Sequence, residues 1–546
     1  MRGTSFSFRA LALAAVLLAA GCRQAPERAA APEAASGPRR GGTVVTGWTA
    51  EPGGVNTLIL PNSQTTSELV FRLFLHLFEE QADFQQHPPT FKPQLAESWD
   101  WSPDHKTLTF HLRKDVVWSD GVPVTADDVR WTWTAQKNPD VAWELSDSKR
   151  WITDVEVVDP HTARFHYSRV YAKQLFDANE GPVFPRHAWE KLPFKEWRKS
   201  GEWFRQHLVV DGPFTVASWQ PQQQIVMQRN GRYYDRQYPY LDRVVMRQIP
   251  DQASGFTQLL SGDLDYLPQI APADAPRVKA SPRLQLIAYW FNLYVAVVWN
   301  NENPLFQDPE VRRALTLAID RPTIVQTVLG QYGKVADSPI LTSVWAHDPS
   351  IHPLPYDPKE AARILAAKGW KDTDGDGVLD KDGKPFAFEL LVNTGNQLRS
   401  DASVMIQSQL QKVGIRATPR QIEFNTLGAA MQSGKFEASI MGYTIDTSLD
   451  LWSNFHSQAI QEGSNYPRYR SPEMDHLLET AQAQPDLAAE RPYLYQVQQK
   501  VQRDQPLTFL WESQRLTAVN RRVRNVHPTA TFSFFNLREW WVAPPG

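Results

Sequence analysis

Three aspartates alternate with small residues in the stretch DTDGDG at 372–377. This is the spacing with which a loop can gather oxygen ligands around a calcium ion, and Asp380 and Asp382 could add further ligands. The twelfth position of such a loop needs a bidentate glutamate, and this chain has Gly383 there. The pattern therefore favours a polar hairpin that leads into the strand 386–392, and we predict no metal site, although calcium stays open as the alternative.

Motifs for covalent catalysis are scarce in the sequence. It contains no His-Glu-x-x-His zinc motif, no Gly-x-Ser-x-Gly elbow and no Walker loop for phosphate. Its single cysteine, Cys22, excludes an intramolecular disulfide and any zinc site built on cysteines. Carboxylates are plentiful, so a glycosidase pair is not excluded by counting, but no two of them stand out. We therefore predict a protein that is not an enzyme and has no cofactor.

The composition is that of a globular protein with more than one domain. The chain has 546 residues, of which 42% are hydrophobic and 21% are charged. Domains usually hold about 100–200 residues, so two or three are expected. A net charge of -3 gives no indication of a basic surface for nucleic acid. The 20 tryptophans fit large cores, and some of them could instead line a ligand cleft.

The N-terminus has the features of a secretory signal peptide. Two arginines flank a short N-terminal region, and the apolar run 10–20 that follows is too short to span a bilayer. The step LAAGC at 18–22 resembles the lipobox of bacterial lipoproteins, which implies a signal peptide over 1–21 and lipidation of Cys22. An ordinary secretory signal is the alternative. The segment 22–40 is rich in alanine, proline and charge, and we expect a flexible tether.

Strand-like and helix-like patterns alternate along the rest of the chain. Alternating apolar residues predict a strand at 107–112, the apolar run 286–299 predicts a buried strand, and the apolar run 507–511 predicts another strand. Asp308 and Asp357, each followed by proline, predict the starts of two helices, and Thr125 with Asp128 predicts another one. This alternation indicates the α/β class with mixed sheets.

The order of motifs over 93–133 is distinctive. It runs Leu-Ala-Glu-Ser-Trp, a hairpin, and then Trp-Ser-Asp-Gly-x-Pro-x-Thr-Ala-Asp-Asp-Val. A second block contains Gly-Pro-Phe at 212–214, Arg-Asn at 229–230, Tyr-Leu-Asp at 240–242 and Gly-Asp-Leu-Asp at 262–265. Together these motifs resemble the extracytoplasmic solute-binding proteins of family 5, the lipoprotein receptors of peptide-, oligopeptide- and nickel-class ABC importers.

The resemblance covers essentially 41–546 and implies a type-II periplasmic-binding-protein fold. In such a fold two lobes with mixed sheets flank a ligand cleft, and an extra domain is inserted in the first lobe. The implied boundaries are 41–65, 210–299 and 507–546 for lobe I, 66–209 for the inserted domain, and 300–506 for lobe II.

The resemblance also implies a site after the strand that ends near Met441. Peptide-binding members place a carboxylate there to hold the ligand's α-ammonium group, and the matching residue here is Asp446. A buried carboxylate needs a cationic partner, which a ligand amine supplies. Tyr443 would be an aromatic wall, the backbone of Thr444 could pair with an extended peptide, and Trp452 is a further predicted ligand-binding residue. The alternative for Asp446 is that it caps a turn.

Three more residues are predicted ligand-binding residues by the same resemblance. Dipeptide-specific members hold the ligand carboxylate with an arginine, and Asn393 stands at that position here. Arg399 is the nearest cation, six residues on. This departure suits longer peptides or a ligand without a carboxylate. Glu51 lies in the loop that borders the cleft in members of the family.

We therefore expect a monomeric, lipid-anchored receptor outside the cytoplasmic membrane that delivers small peptides to an ABC permease and binds no nucleic acid. An oligosaccharide or a nickel complex is the alternative ligand within the same fold. A receptor that signals to a membrane sensor is another alternative, and a secreted lipoprotein hydrolase is the alternative from a different class.

Overall fold

The computed structural model of the chain describes residues 37–61 and 63–544. The predicted signal peptide, Cys22 and most of the predicted tether lie outside the described residues, so their predictions stand as made. From Arg39 onward the chain forms one compact unit.

Strands and helices alternate through the described part of the chain. The strands are β1 (Thr43–Trp48), β2 (Phe78–Glu80), β3 (Phe91–Pro93), β4 (Ala96–Trp101), β5 (Thr107–Leu112), β6 (Ile152–Asp159), β7 (Thr162–Tyr167), β8 (Phe214–Gln220), β9 (Gln224–Arg229), β10 (Arg243–Gln248), β11 (Tyr266–Leu267), β12 (Leu284–Trp299), β13 (Gly333–Lys334), β14 (Asp380–Lys381), β15 (Lys384–Pro385), β16 (Ala387–Asn393), β17 (Arg416–Ile422), β18 (Ala438–Thr444), β19 (Leu507–Asn520), β20 (Val523–Arg524) and β21 (Trp541–Val542).

The α-helices are α1 (Gln64–Leu73), α2 (Ala126–Lys137), α3 (Gln174–Asn179), α4 (Arg186–Trp189), α5 (Gly201–Gln206), α6 (Gln252–Ser261), α7 (Ala275–Ala280), α8 (Pro309–Ala318), α9 (Arg321–Val328), α10 (Pro358–Ala367), α11 (Gln397–Gln411), α12 (Phe424–Ser433), α13 (Trp452–Phe455), α14 (Ala459–Glu462), α15 (Pro472–Gln482) and α16 (Leu487–Asp504). No described helix is both long and apolar enough to cross a membrane.

One large mixed sheet organises the described chain. Its strand order is β17-β16-β18-β12-β19-β11-β1-β10-β9-β8, and β13 pairs with β19 beside this path. Pairing is parallel at β1 with β10 and at β16 with β17, whereas β12 is antiparallel to both of its neighbours, β18 and β19. Parallel pairs need a crossover connection, which here contains helices, so the α/β fold class is confirmed.

The two long strands β12 and β19 pass from one core to another. Leu284 at the start of β12 packs in the same cluster as Leu516 near the end of β19. At the other end of the pair, Val297 of β12 packs in a different cluster with Leu510 of β19. Each strand therefore contributes to both halves of the molecule, and the register between them shifts after Trp290, in the middle of β12.

A separate antiparallel sheet of four strands, β4-β5-β7-β6, lies within the predicted inserted domain. The burial of β5 alternates residue by residue, as its sequence pattern predicts. Helix α2 follows, and the Asp128 carboxylate accepts from the backbone N–H of Thr125 at 2.9 Å, so the predicted helix start is confirmed. The predicted domain boundaries stay a prediction.

Helix α8 begins as its sequence predicts. The Asp308 carboxylate accepts from the backbone N–H of Glu310 at 2.9 Å, and Pro309 is the first helical residue. Asp357 caps α10 in the same way, through the N–H of Glu360. Helices α8 and α10 pack on each other, α8 also contacts β19, and buried residues of both helices belong to the same core as those of β16.

Candidate ligand-binding cleft

A wide cleft of about 950 Å³ opens beside the middle of β12. Its walls come from the segment around α1 and β2, from the predicted inserted domain, from the chain after β18, and from the C-terminal segment 530–535. Ligand sites are usually clefts of about 300–1,000 Å³, so the volume suits a ligand of several residues. Phe291 and Leu293 of β12 form part of its lining.

The chain leaves β18 along one wall of this cleft. Thr444 pairs with Leu293, and the backbone N–H of Ile445 donates to the carbonyl of Asn292 at 2.9 Å. The chain therefore runs beside β12 up to Asp446. In the described part of the chain, β18 has a second partner only at its start, where Ser439 pairs with β16, so its outer edge is free near Thr444.

Asp446 is exposed to the cleft and also organises the turn that follows it. Its carboxylate accepts from the hydroxyl of Ser448 at 2.8 Å and from the backbone N–H of Asp450 at 3.3 Å. No described lysine, arginine or histidine lies within 4 Å of this carboxylate. The turn-capping role and an open position for a ligand cation are therefore compatible in one side chain.

Two more carboxylates of the cleft lining, Glu80 and Glu180, interact electrostatically with Asp446, and we define Glu80, Glu180 and Asp446 as the acidic corner. Burial, together with the nearby carboxylates of Asp446 and Glu180, raises the pKa of Glu80 to about 7. Burial also raises the pKa of Glu180, while Lys149 opposes the increase. Among the described residues, the three carboxylates of the acidic corner therefore have no directly paired cation, and Lys149 acts on Glu180 only from a distance.

The lysines near the acidic corner are engaged elsewhere. Lys173 forms an ion pair with Asp450 at 2.9 Å, and the attraction of Asp450 raises the pKa of Lys173 against the effect of burial. Lys149 is buried and donates to the backbone carbonyls of Asp177 and Glu180. Neither ammonium group therefore neutralises a carboxylate of the acidic corner by direct contact.

Arg515 of β19 is the cation on the other side of β12. Its guanidinium lies 3.4 Å from the centre of the Phe291 ring, and burial lowers its pKa. Its acidic neighbour, Glu68, uses its carboxylate to accept from the backbone N–H groups of Ser533 and Phe534. Among the described residues no carboxylate lies within 4 Å of Arg515, so it can receive an anionic ligand group.

The strand order places these charges on opposite sides of one strand. Asp446 follows β18, Arg515 belongs to β19, and β12 lies between these two strands with Phe291 in the cleft lining. Neighbouring strands are about 4.8 Å apart, so backbones two strands apart are separated by about 10 Å. An extended molecule with a positive and a negative end can therefore lie across β12.

Aromatic and cationic groups line the rest of the cleft. Trp452 lines it and stacks on His456, with ring centres 4.7 Å apart. In the predicted inserted domain, the guanidiniums of Arg150 and Arg169 lie 4.5 and 5.0 Å from the ring of Trp151. Such surfaces can pack against ligand side chains of several kinds.

The structure brings three of the predicted site residues together in the cleft: Thr444, Asp446 and Trp452. Tyr443 does not join them. It is only 6% exposed and stacks on Tyr294 at 5.2 Å in the core beneath the cleft. Side chains alternate along a strand, so Tyr443 points inward where Thr444 points to the cleft.

Asn393 and Arg399 contact each other outside the cleft lining. The Arg399 guanidinium donates to the Asn393 side-chain oxygen at 2.9 Å, and each residue is 9% exposed. Burial lowers the pKa of Arg399 to about 10. The pair lies against Gly442, where a Cβ atom would come 2.4 Å from the guanidinium. The structure therefore places both of these predicted ligand-binding residues against β18 and outside the cleft lining.

Glu51 also lies away from the cleft lining. Its carboxylate accepts from the indole N–H of Trp219 at 2.8 Å and from the backbone N–H of Gln222 at 3.0 Å. These bonds attach its loop to the hairpin of β8 and β9. The contacts give Glu51 a structural role.

The aspartate loop at 372–376 forms the expected hairpin. Asp372 accepts from the backbone N–H groups of Gly375 at 2.7 Å and Gly377 at 3.1 Å, and Lys371 pairs with Asp380 across the turn. The carboxylates of Asp372, Asp374 and Asp376 are exposed and have oxygens within 4.8 Å of one another. Backbone N–H groups already donate to all three carboxylates, which is the bonding of a polar turn. The absence of a metal site is not tested by these contacts and stays a prediction.

Sequence reasoning missed Glu80, Glu180 and Arg515. Glu80 ends a strand of only three residues, which is too short to show a period. Glu180 follows the short helix α3. Arg515 lies in a part of β19 beyond the predicted strand 507–511. Their common position in the cleft follows from long-range pairing, for which the local pattern carries no signal.

The chain is similar in sequence to known solute-binding proteins. The family described as "Bacterial extracellular solute-binding proteins, family 5 Middle" matches residues 90–464. The oligopeptide-binding protein AppA of Bacillus subtilis is 30% identical over 539 residues, which are 98% of this chain and 97% of AppA. The periplasmic oligopeptide-binding protein OppA of Escherichia coli is 27% identical over 432 residues, 73% of this chain and 74% of OppA.

Solved structures with the same fold include that of Bacillus subtilis AppA in complex with a nonapeptide. It has a TM-score of 0.81 at 30% identity and covers 93% of this chain and 100% of that chain. NikZ from Campylobacter jejuni, in complex with Ni(L-His), has a TM-score of 0.80 at 24% identity and covers 91% of this chain and 99% of that chain. At that identity the likeness to NikZ concerns the fold alone.

Proposed function

The chain belongs to family 5 of the bacterial extracellular solute-binding proteins, and we propose that it captures small peptides outside the cytoplasmic membrane and delivers them to the permease of an ABC importer. As a member of this family it is a receptor and not an enzyme. The proposal rests on similarity to an oligopeptide-binding protein over 98% of the chain, together with a cleft that offers an unpaired carboxylate beside a free strand edge.

Three contacts would hold the peptide. The carboxylate of Asp446 would receive the N-terminal ammonium group, because it faces the cleft and has no described cation within 4 Å. The free edge of β18 near Thr444 would pair with the peptide backbone. Arg515, across β12, would receive a carboxylate of the ligand.

The peptide would be captured when the two sides of the cleft close around it and released when they open. β12 and β19 contribute to the cores on both sides of the cleft, and the register shift after Trp290 lies beside Phe291 in the cleft lining. Closure around a ligand would bend the chain at these crossing strands and exclude water from the charged contacts. No covalent step is needed for this cycle.

A lipid anchor is part of the proposal. The signal sequence over 1–21 and the lipobox-like step before Cys22 support cleavage and lipidation at that cysteine. The segment 22–40 would then tether a monomeric receptor to a bacterial membrane.

Isothermal titration calorimetry with a defined peptide pair tests the proposed function. The protein is freed of bound ligand and titrated with tetra-alanine and with its N-acetylated form, which lacks the ammonium group. We expect tetra-alanine to bind at least about tenfold more tightly, since a hydrogen bond to a charged group contributes about 1.5–3 kcal/mol. Failure of both peptides to bind would refute the proposal.

A further inference from the structure

We propose that the cleft selects peptides with a second positive charge next to the N-terminal ammonium group, that is, peptides whose first residue is lysine or arginine. This inference rests on the proposed function. It concerns the acidic corner, whose three carboxylates outnumber the single ammonium group that every peptide brings.

The first argument is the lack of a protein partner for these carboxylates. None of Glu80, Glu180 and Asp446 has a described lysine, arginine or histidine within 4 Å. When the peptide ammonium occupies Asp446, Glu80 and Glu180 remain in a half-buried site with no cation in direct contact, although Lys149 attracts Glu180 from a distance. Burying an unpaired carboxylate is costly, so a second cation in the ligand would be strongly favoured.

A fourth carboxylate adds negative charge from behind the cleft wall. Glu490 of α16 is 2% exposed, and its Oε2 atom has no hydrogen-bond partner. Its main charged neighbours are Lys173, Asp450 and Asp446, which all line the cleft. Lys173 is shared between Asp450 and Glu490, and burial raises the pKa of Glu490 to about 7, so above that pH the negative potential of Glu490 also acts on a cation that enters beside Asp446.

The walls next to Glu80 suit the aliphatic part of a lysine or arginine side chain. Glu80 pairs across β2 and β3 with Phe91, and the Phe91 ring packs on Phe176 with centres 5.2 Å apart. Both rings line the cleft. A side chain whose methylene groups lie along these rings could bring its charged end to Glu80.

The spacing of the acidic corner suits separate cationic groups better than one metal ion. Asp372, Asp374 and Asp376 show a compact arrangement, with ligand oxygens all within 4.8 Å of one another. Within residues 37–61 and 63–544, Glu80, Glu180 and Asp446 do not form such a group. Carboxylates spread more widely than this can each contact a different charged group of one ligand.

Isothermal titration calorimetry with two matched peptides tests the inference. Lys-Ala-Ala-Ala and its norleucine counterpart share the N-terminal ammonium and a first side chain of four carbons, but only the first carries the side-chain amine. We expect the lysine peptide to bind at least about tenfold more tightly at pH 8, which is above the pKa of about 7 of Glu80. The substitutions Glu80→Gln and Glu180→Gln should each reduce this ratio, whereas Asp374→Asn, in the exposed hairpin, should not change it.

Binding of both peptides with equal affinity would overturn the inference and leave the proposed function intact. Binding of neither peptide, nor of tetra-alanine, would refute the proposed function itself. Tight binding of Ni²⁺ alone that Glu80→Gln abolishes, together with no preference for lysine, would show a metal-ligand role for the acidic corner and would also overturn the inference. The wild-type ratio decides the question even if a variant folds poorly.

Discussion

The Asp446 carboxylate accepts hydrogen bonds that hold the following turn, and it also faces the cleft. A substitution of this one residue can therefore separate its role in the turn from its role in ligand binding. Asp446→Asn keeps an oxygen that can accept from Ser448 and from the N–H of Asp450, so the turn should survive. The negative charge is lost. We expect the affinity for tetra-alanine to fall by about 10- to 100-fold, because a charge-assisted hydrogen bond contributes about 1.5–3 kcal/mol.

The acetylated peptide provides the control for this prediction in a calorimetric double-mutant cycle. It has no ammonium group, so Asp446→Asn should change its affinity little. Asp374→Asn removes a carboxylate from the exposed hairpin and should leave both affinities unchanged. Equal losses for the free and the acetylated peptide in Asp446→Asn would mean that the residue acts on the fold of the turn and not on the ammonium group.

At the scale of elements, the local signals of the sequence are reliable where the partner is close along the chain. The caps at Asp308 and Asp357 and the Thr125–Asp128 start are all confirmed, since each bond spans at most three residues. The alternation over 107–112 is confirmed for the same reason, because a strand with one buried face shows its period directly.

Longer-range features of the fold and the site could not be predicted in this way. β19 extends to Asn520, well beyond the predicted end at 511, because β12 offers a partner along its whole length. This extension brings Arg515 into the cleft. Glu80 and Glu180 join Asp446 only through tertiary packing of segments more than 250 residues apart. The family resemblance supplied Asp446 and the fold, but no pattern in the chain indicated its acidic neighbours.

Helix α16, which carries Glu490, offers a prediction about an element. The Asp486 carboxylate accepts from the backbone N–H of Ala489 at 2.8 Å and caps the helix. Asp486→Ala should lower the free energy of unfolding by about 1 kcal/mol and lower the thermal midpoint, because an N–H at the helix start loses its partner. Differential scanning calorimetry would measure the change.

Asp486→Ser is the matched variant, since serine also caps helices well. It should retain most of the wild-type stability. Identical thermal midpoints for the alanine and serine variants would indicate that the cap does not stabilise α16.

At the scale of the whole molecule, the buried carboxylates predict how stability depends on pH. Burial raises the pKa of Glu80 to about 7 from its usual 4.5, and Asp446, Glu180 and Asp83 add to the increase while a hydrogen bond from Thr447 opposes it. The native state therefore holds more protons than the unfolded state over this range. The contribution of Glu80 to stability is complete below pH 4.5 and is lost as the pH rises through about 7.

Thermal midpoints of the ligand-free wild type and of Glu80→Gln, measured between pH 5 and 8, test this sign. The wild type should lose stability relative to the variant as the pH rises, because glutamine does not ionise. Comparing the two proteins cancels the titration of distant groups. A difference that stays constant over this range, or that changes in the opposite direction, would show that Glu80 is not held in its protonated form by its surroundings.

The identity of the bound ligand is the central question for the whole molecule. Native mass spectrometry of the purified protein addresses it most directly, if spectra are recorded before and after denaturing release of bound molecules. The account predicts a spread of bound masses that fragment as peptides, enriched in those with lysine or arginine at the first position, and lost from protein that carries Asp446→Asn. A single bound sugar or metal complex, or a peptide population that Asp446→Asn leaves unchanged, would contradict it.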